Sequence, residues 1–175
     1  MAIPYAPVVL STEFIDACTA SKSKECPDPA NFLLKDAANE KKLGHKLKDI
    51  LRRAKINNRR LLPKTLVYST PNIVNGPETY RPIVVANGGI FNVYQGKPVL
   101  KKMSAEEDIG PAEPVYLLTG FTKGEKELWN KFETMARESN SIPRIVTTEW
   151  LLDLALTQED IWDEEFLARN QNENA

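Results

Sequence analysis

Histidine is nearly missing from this chain. His45 is the only one, and it stands among lysines. That leaves no histidine cluster for a metal, and no serine or cysteine is placed beside it for nucleophilic catalysis. Cysteine is scarce as well. Cys18 and Cys26 are too few for a disulfide framework and lack a second ligand pair to complete a metal site. A reducing compartment is the expectation, with Cys18 packed as a small apolar residue. No apolar run is long enough to cross a membrane, and residues 1–7 lack the basic and apolar regions of a secretory signal. An intracellular, soluble protein with no membrane partner is therefore expected. Phosphate-loop spacing fails too: six residues separate Gly89 from Gly96, and Pro98 stands where a metal-binding hydroxyl is needed. Paired carboxylates occur only near the C-terminus and at Glu106, Glu107 and Asp108, where solvation is the plain reading. No catalytic residue, metal, cofactor or small-molecule substrate is expected. The chain reads as a non-enzyme.

What is present fits an α/β protein with a real core. The 175 residues are 42% hydrophobic and 27% charged, enough for one good-sized domain with an attached piece. Lysine and arginine total 23 against 24 acids, a formal charge of −1 that hides an asymmetry. Lys41, Lys42, Lys46, Lys48, Arg52, Arg53, Lys55, Arg59, Arg60 and Lys64 crowd one segment, while Glu149, Asp153, Glu159, Asp160, Asp163, Glu164, Glu165 and Glu173 crowd the far end. Such opposition fits an internal docking pair or two separate faces.

The pattern opens with a short strand at 8–10 and a helix carrying Phe14, Ile15 and Cys18 on one side. Residues 19–39 form a connector with an apolar anchor, Phe32-Leu33-Leu34. A basic helix follows from Asn39 to Asn57-Asn58, with Leu43, Leu47, Ile50, Leu51 and Ala54 on one stripe and Gly44 as a weak point. Then strands alternate with helices: strand 65–68, helix 77–86 with Pro82 forcing a kink or a late start, the turn Asn87-Gly88-Gly89, where positive φ is expected, and strand 90–94. A long polar connection, 96–114, leads to strand 115–118. Helix 123–138 carries Leu128, Trp129, Phe132 and Met135. Strand 144–146 comes next, then a helix capped by Thr147 or Thr148 and bearing Trp150, Leu151, Leu154 and Leu156. Trp150 is expected in the core. This alternation implies a four-stranded parallel sheet flanked by helices.

The opening run Val8-Val9-Leu10-Ser11-Thr12-Glu13-Phe14-Ile15-Asp16-Ala17-Cys18 repeats the later Ile145-Val146-Thr147-Thr148-Glu149-Trp150-Leu151-Leu152-Asp153-Leu154-Ala155. The repeat divides the chain into a remnant of a preceding module with its connector (1–38), a basic linker helix (39–60), a complete domain (61–168) and a disordered acidic tail (169–175).

The aromatic-bearing helix after a Val-Val strand, the Gly-Gly turn after the first helix of the main domain and the element order resemble the BRCT family. Leu33-Leu34-Lys35-Asp36, Asn39-Glu40-Lys41-Lys42 and Val67-Tyr68-Ser69-Thr70-Pro71-Asn72 further resemble the C-terminal pair of fungal multi-BRCT DNA-damage scaffolds related to the yeast regulator of Ty transposition. The resemblance implies a nuclear scaffold module that binds phosphorylated proteins, such as a histone tail, and DNA-repair factors. It puts Ser69 and Thr70 at the family's phosphate-binding hydroxyl and neighbouring amide. Asn130 falls where the completing lysine belongs, with Lys131 adjacent. It gives Asn72, Ile73, Val74, Asn75, Thr148 and Glu149 to the peptide beyond the phosphate, and Phe14, Ile15 and Cys18 to a seam against the first and last helices of the complete repeat. Gly88, Gly89 and Trp150 are structural. A DNA-binding role for the basic 41–64 segment is the alternative.

Overall fold

Strand residues in this chain alternate between two apolar sides, and that alternation organises the fold. In the computed structural model, which describes residues 8–21, 26–58, 60–100, 111–159 and 162–172, β1 (Leu66–Ser69), β2 (Ile90–Val93), β3 (Glu113–Leu118) and β4 (Ser141–Val146) form a parallel sheet in the order β2-β1-β3-β4. Val67, Phe91, Tyr116, Leu118 and Val146 point to one side, and Tyr68, Val115, Leu117 and Ile145 to the other. Parallel sheets need cover on both faces. Helices α4 (Pro77–Ala86) and α6 (Thr148–Thr157) cover the first with Tyr80, Val84, Trp150, Leu151 and Leu154. Helix α5 (Lys123–Glu138) covers the second with Trp129, Phe132, Met135 and Ala136.

Both sheet edges are managed. On β2, Arg81 donates to the carbonyl of Phe91 at 3.2 Å and stacks 4.9 Å over its ring, held in place by Glu78 at 2.7 Å. A charged group on an edge carbonyl discourages further strand pairing. Along β4, Leu167 bridges Val146 and the Thr147 amide donates to the Phe166 carbonyl at 3.3 Å. The same C-terminal segment brings Trp162 against Arg144, whose guanidinium lies 3.8 Å from the ring centre and hydrogen-bonds the Tyr116 hydroxyl. Tyr116 in turn stacks on Trp150, 4.2 Å between centroids.

Several expectations change. The 39–60 helix is two: α2 (Ala37–Leu43) ends at Gly44, which takes φ +73°, and α3 (Leu47–Ile56) restarts after it. Glycine at that left-handed position stops a helix where a side chain would be strained. Nor is α3 a free linker. Ile50 and Ala54 are buried, Arg53 donates to the Thr157 carbonyl at 2.7 Å and pairs with Glu159 at 3.1 Å, and Asn57 donates to the Gln158 carbonyl at 3.0 Å. The opposed charges thus include an internal docking pair. Of the tail expected to be disordered, residues 169–172 are helical (α7, Ala168–Asn172) and 173–175 lie outside the described residues; Arg169 bonds Asn130 and Glu133 at 3.1 and 3.0 Å. Strands β3 and β4 begin two and three residues earlier than expected. Pro143 lies inside β4, which is tolerated in an edge strand. Helix α4 starts at Pro77, so Pro82 does not delay it. The Gly-Gly turn has two separate causes: Gly88 has φ +86°, whereas a Cβ on Gly89 would sit 2.7 Å from a Val84 methyl. Glu106, Glu107 and Asp108 lie outside the described residues.

The N-terminal piece keeps its local form. Leu10 bridges Leu33 in antiparallel fashion, and α1 (Glu13–Ala20) follows. Its surroundings differ from those of α6: Phe14 meets Phe32 edge-on at 5.5 Å, Ile15 is 65% exposed and Cys18 is exposed. The seam expected from Phe14, Ile15 and Cys18 against the complete repeat is therefore replaced by a local contact with the 3₁₀ turn Pro29–Phe32.

Trp150 fills the centre of its core and stacks on Tyr116. Trp150→Ala is expected to cost ~3–5 kcal/mol, the range for emptying a packed aromatic site. Urea unfolding followed through the remaining tryptophans checks this; an unshifted midpoint would contradict the packing described.

Candidate functional site

Parallel strands bring their carboxyl ends to one edge, the usual place for ligand contacts in such sheets. Here that edge gathers the 70–76 loop after β1, the 119–122 turn after β3 and the start of α6 after β4. Ser69 and Thr70 are at its centre, and both are completely buried. The Ser69 hydroxyl donates to the Thr70 carbonyl at 2.9 Å. The Thr70 amide donates to the Leu118 carbonyl at 2.9 Å, extending the β1–β3 ladder. Both groups assigned to a phosphate are already engaged.

The Thr70 hydroxyl shows what occupies the seat instead. It donates at 2.7 Å to Oε1 of Glu125, which also accepts the Gly120 amide at 2.9 Å. The other oxygen, Oε2, accepts the Thr122 hydroxyl at 2.7 Å and the Thr122 amide at 3.1 Å. Thr122 and Glu125 form a capping box at the start of α5, closed by the Glu125 amide on the Thr122 hydroxyl at 3.4 Å. The carboxylate is only 2% exposed. All four donors are neutral, so hydroxyls, amides and the positive end of the helix dipole hold this anion. Burial pushes the Glu125 carboxyl upward, but the bonds from Thr122, Thr70 and Gly120 together outweigh burial and leave it below the usual range. Gly120 is required by contact: a Cβ there would lie 2.8 Å from Glu125 Oε2. Behind this, Trp129 donates to the Thr119 hydroxyl at 2.9 Å and fixes the turn.

The arrangement is an anion seat filled from within. Two oxygens of one charged group receive hydroxyl and amide donors at a helix N-terminus, as a phosphate's oxygens would. Glu125 was not anticipated as a site residue. Its signal was in the sequence all the same, as Thr122-x-x-Glu125 ahead of an apolar helix.

The remaining expected site residues are divided. Lys131 does not join Ser69 and Thr70. It is exposed, six residues beyond Glu125 and so about 9 Å along the helix axis, where it lines a groove with Tyr94, Gly96, Pro98 and Met135. Asn130 accepts from Arg169. Ile73 is not an apolar wall for a ligand but part of the core, 3% exposed beside Tyr80 and Val84. Val74 is 67% exposed, with its carbonyl pinned by the Tyr80 hydroxyl at 2.9 Å. Asn72 and Asn75 are exposed; Asn75 takes φ +64°, and its carbonyl accepts from Thr79 at 2.6 Å. Thr148 is half-buried, and Glu149 accepts from Gln171 of α7 at 3.3 Å. Asn72, Val74, Asn75 and the α6 start thus remain presented around a closed anion seat.

Glu125→Gln puts an amide donor among four donors. A cost of about 1–3 kcal/mol is expected, that of leaving buried polar groups unpaired. Because folding lowers the Glu125 value, its stabilisation is complete above the unfolded-state value, about 4.3 for glutamate. It is lost as pH falls through the lower folded-state value. Urea midpoints between neutral and acid pH should show this limb in the native chain and a weakened one in the variant; identical profiles would contradict it.

No family model matches the chain. It is 31% identical over 163 residues to BRCT-containing protein 1 of Schizosaccharomyces pombe, an alignment covering 90% of this chain and 18% of the relative. The chain thus spans under a fifth of that curated relative. Among solved structures, the crystal structure of the S. pombe Brc1 BRCT5-BRCT6 domains superposes with a TM-score of 0.63 at 28% identity, covering 95% of this chain and 76% of that one.

Proposed function

Since the chain belongs to the BRCT family, we propose that it is a non-catalytic protein-interaction module of a nuclear DNA-damage scaffold, whose complete repeat reads the part of a phosphorylated partner that flanks the phosphate. The observation that carries this is the Glu125 carboxylate in the anion seat. A phosphate dianion brought to Thr70 and Gly120 would meet a buried negative charge holding the same donors. The loop around the seat stays open, with Asn72 and Asn75 able to bond peptide backbone and Val74 exposing an apolar side chain. The phosphate itself falls to the preceding repeat, of which residues 1–38 are the closing part. The partner class is phosphorylated protein, a modified histone tail or a DNA-repair factor among them.

Paired phosphorylated and unphosphorylated peptides, titrated into this chain and into one extended at the N-terminus, test the reading. The extended chain should prefer the phosphorylated form by about tenfold or more, ~1.4 kcal/mol, and this chain should show little preference. A preference of that size in this chain alone, abolished by Thr70→Val, would overturn it.

Nucleic-acid binding has one specific support. Helix α3 docks through Ile50, Arg53 and Ala54, which leaves Lys48, Arg52 and Lys55 exposed, with Lys41, Lys42 and Lys46 exposed on and after α2. If this surface carries the function, duplex affinity falls steeply with salt. A shallow slope, unchanged in a Lys48→Glu/Arg52→Glu variant, would exclude it.

A further inference from the structure

The expectation that Cys18 packs as a small apolar residue is not met. Its sulfur lies 4.0 Å from that of Cys26, eight positions along the chain, and both residues are exposed. We propose that Cys18 and Cys26 are a reversible dithiol–disulfide modification site for a hydroperoxide-class oxidant.

The pair is separate from everything described above. Neither sulfur belongs to the two cores or to the Glu125 seat. Metal binding is the competing use of two close thiols, but among the described residues no third histidine, cysteine, aspartate or glutamate joins them. The segments bearing them are already aligned by other contacts. Phe14 packs on Phe32, the Ser11 amide donates to the Phe32 carbonyl at 2.8 Å, and the Leu34 amide donates to the Val9 carbonyl at 2.9 Å. A disulfide has its sulfurs ~2.05 Å apart, so about 2 Å of approach by two exposed side chains closes it.

Either sulfur can be the donor of the contact between them, and the two thiols share the reaction as attacking and resolving partners. The Cys26 sulfur attacks one peroxide oxygen, the O–O bond breaks, and the other oxygen leaves with the Cys26 thiol proton as water, giving a sulfenic acid. The Cys18 sulfur then displaces that hydroxyl, its own proton departs with it as water, and the S–S bond forms. Two thiols lose two electrons in all and the peroxide becomes two waters. A small dithiol reverses the bond by exchange. The product ties the end of α1 to the lead into the 3₁₀ turn.

The full chain treated with hydrogen peroxide, with dimedone present to trap sulfenic acid, tests this by peptide mapping under non-reducing conditions. The native chain should lose both thiols together, yield the intramolecular Cys18–Cys26 peptide pair, carry no dimedone, and regain both thiols with dithiothreitol. In Cys18→Ser, Cys26 should stop at the dimedone adduct. Intermolecular dimers, a dimedone adduct on the native chain equal to that on Cys18→Ser, or thiols that persist at doses labelling Cys18→Ser would each overturn the proposal.

Discussion

The carboxylate of Glu125 ties together parts of the chain that are distant in sequence: Thr70 at the end of β1, Gly120 and Thr122 after β3, and the first turn of α5. The Thr70 hydroxyl is completely buried and would otherwise be left unpaired, which is costly. A single acidic side chain accepts from it and from three further donors, and also complements the dipole of the longest helix. The ends of the two central strands, the angle at which α5 leaves the sheet and the fit of Gly120 all depend on this contact.

The two apolar layers explain why the edge is so well held. Strands β1, β3 and β4 share their side chains between α4 with α6 and the opposing α5. A shift of one residue would exchange the faces and bury the wrong set. The aromatic column of Trp150, Tyr116, Arg144 and Trp162 extends this order across to the C-terminal segment, which lies along β4. The segment around Leu167 therefore pairs with the end of one edge strand, and Arg81 guards the other.

Much of this was legible in the residues. Strand and helix alternation, the core role of Trp150 and the turn at Gly88-Gly89 followed from periodicity and from glycine's conformational range. The parallel four-stranded sheet and the family followed from the same order of elements. The edge at the carboxyl ends of the strands was less legible. A hydroxyl at position 70 has the same letter whether it faces a ligand or a neighbouring carboxylate, and Ile73 in a loop gives no periodic sign that it turns inward. The break at Gly44 was readable as weakness but was not recognised as a left-handed stop. Contacts over a hundred residues apart, such as Arg53 with Thr157, leave no local pattern.

That docking has a consequence for where the folded unit begins. Helix α6 ends at Gln158 in a left-handed conformation, and the Thr157 and Gln158 carbonyls accept from Arg53 and Asn57. Upstream residues thus serve as the stopper of a helix that closes the sheet from far downstream. Removing the piece before β1 would take these donors from the Thr157 and Gln158 carbonyls, so the two stretches, a hundred residues apart, belong to one folded unit.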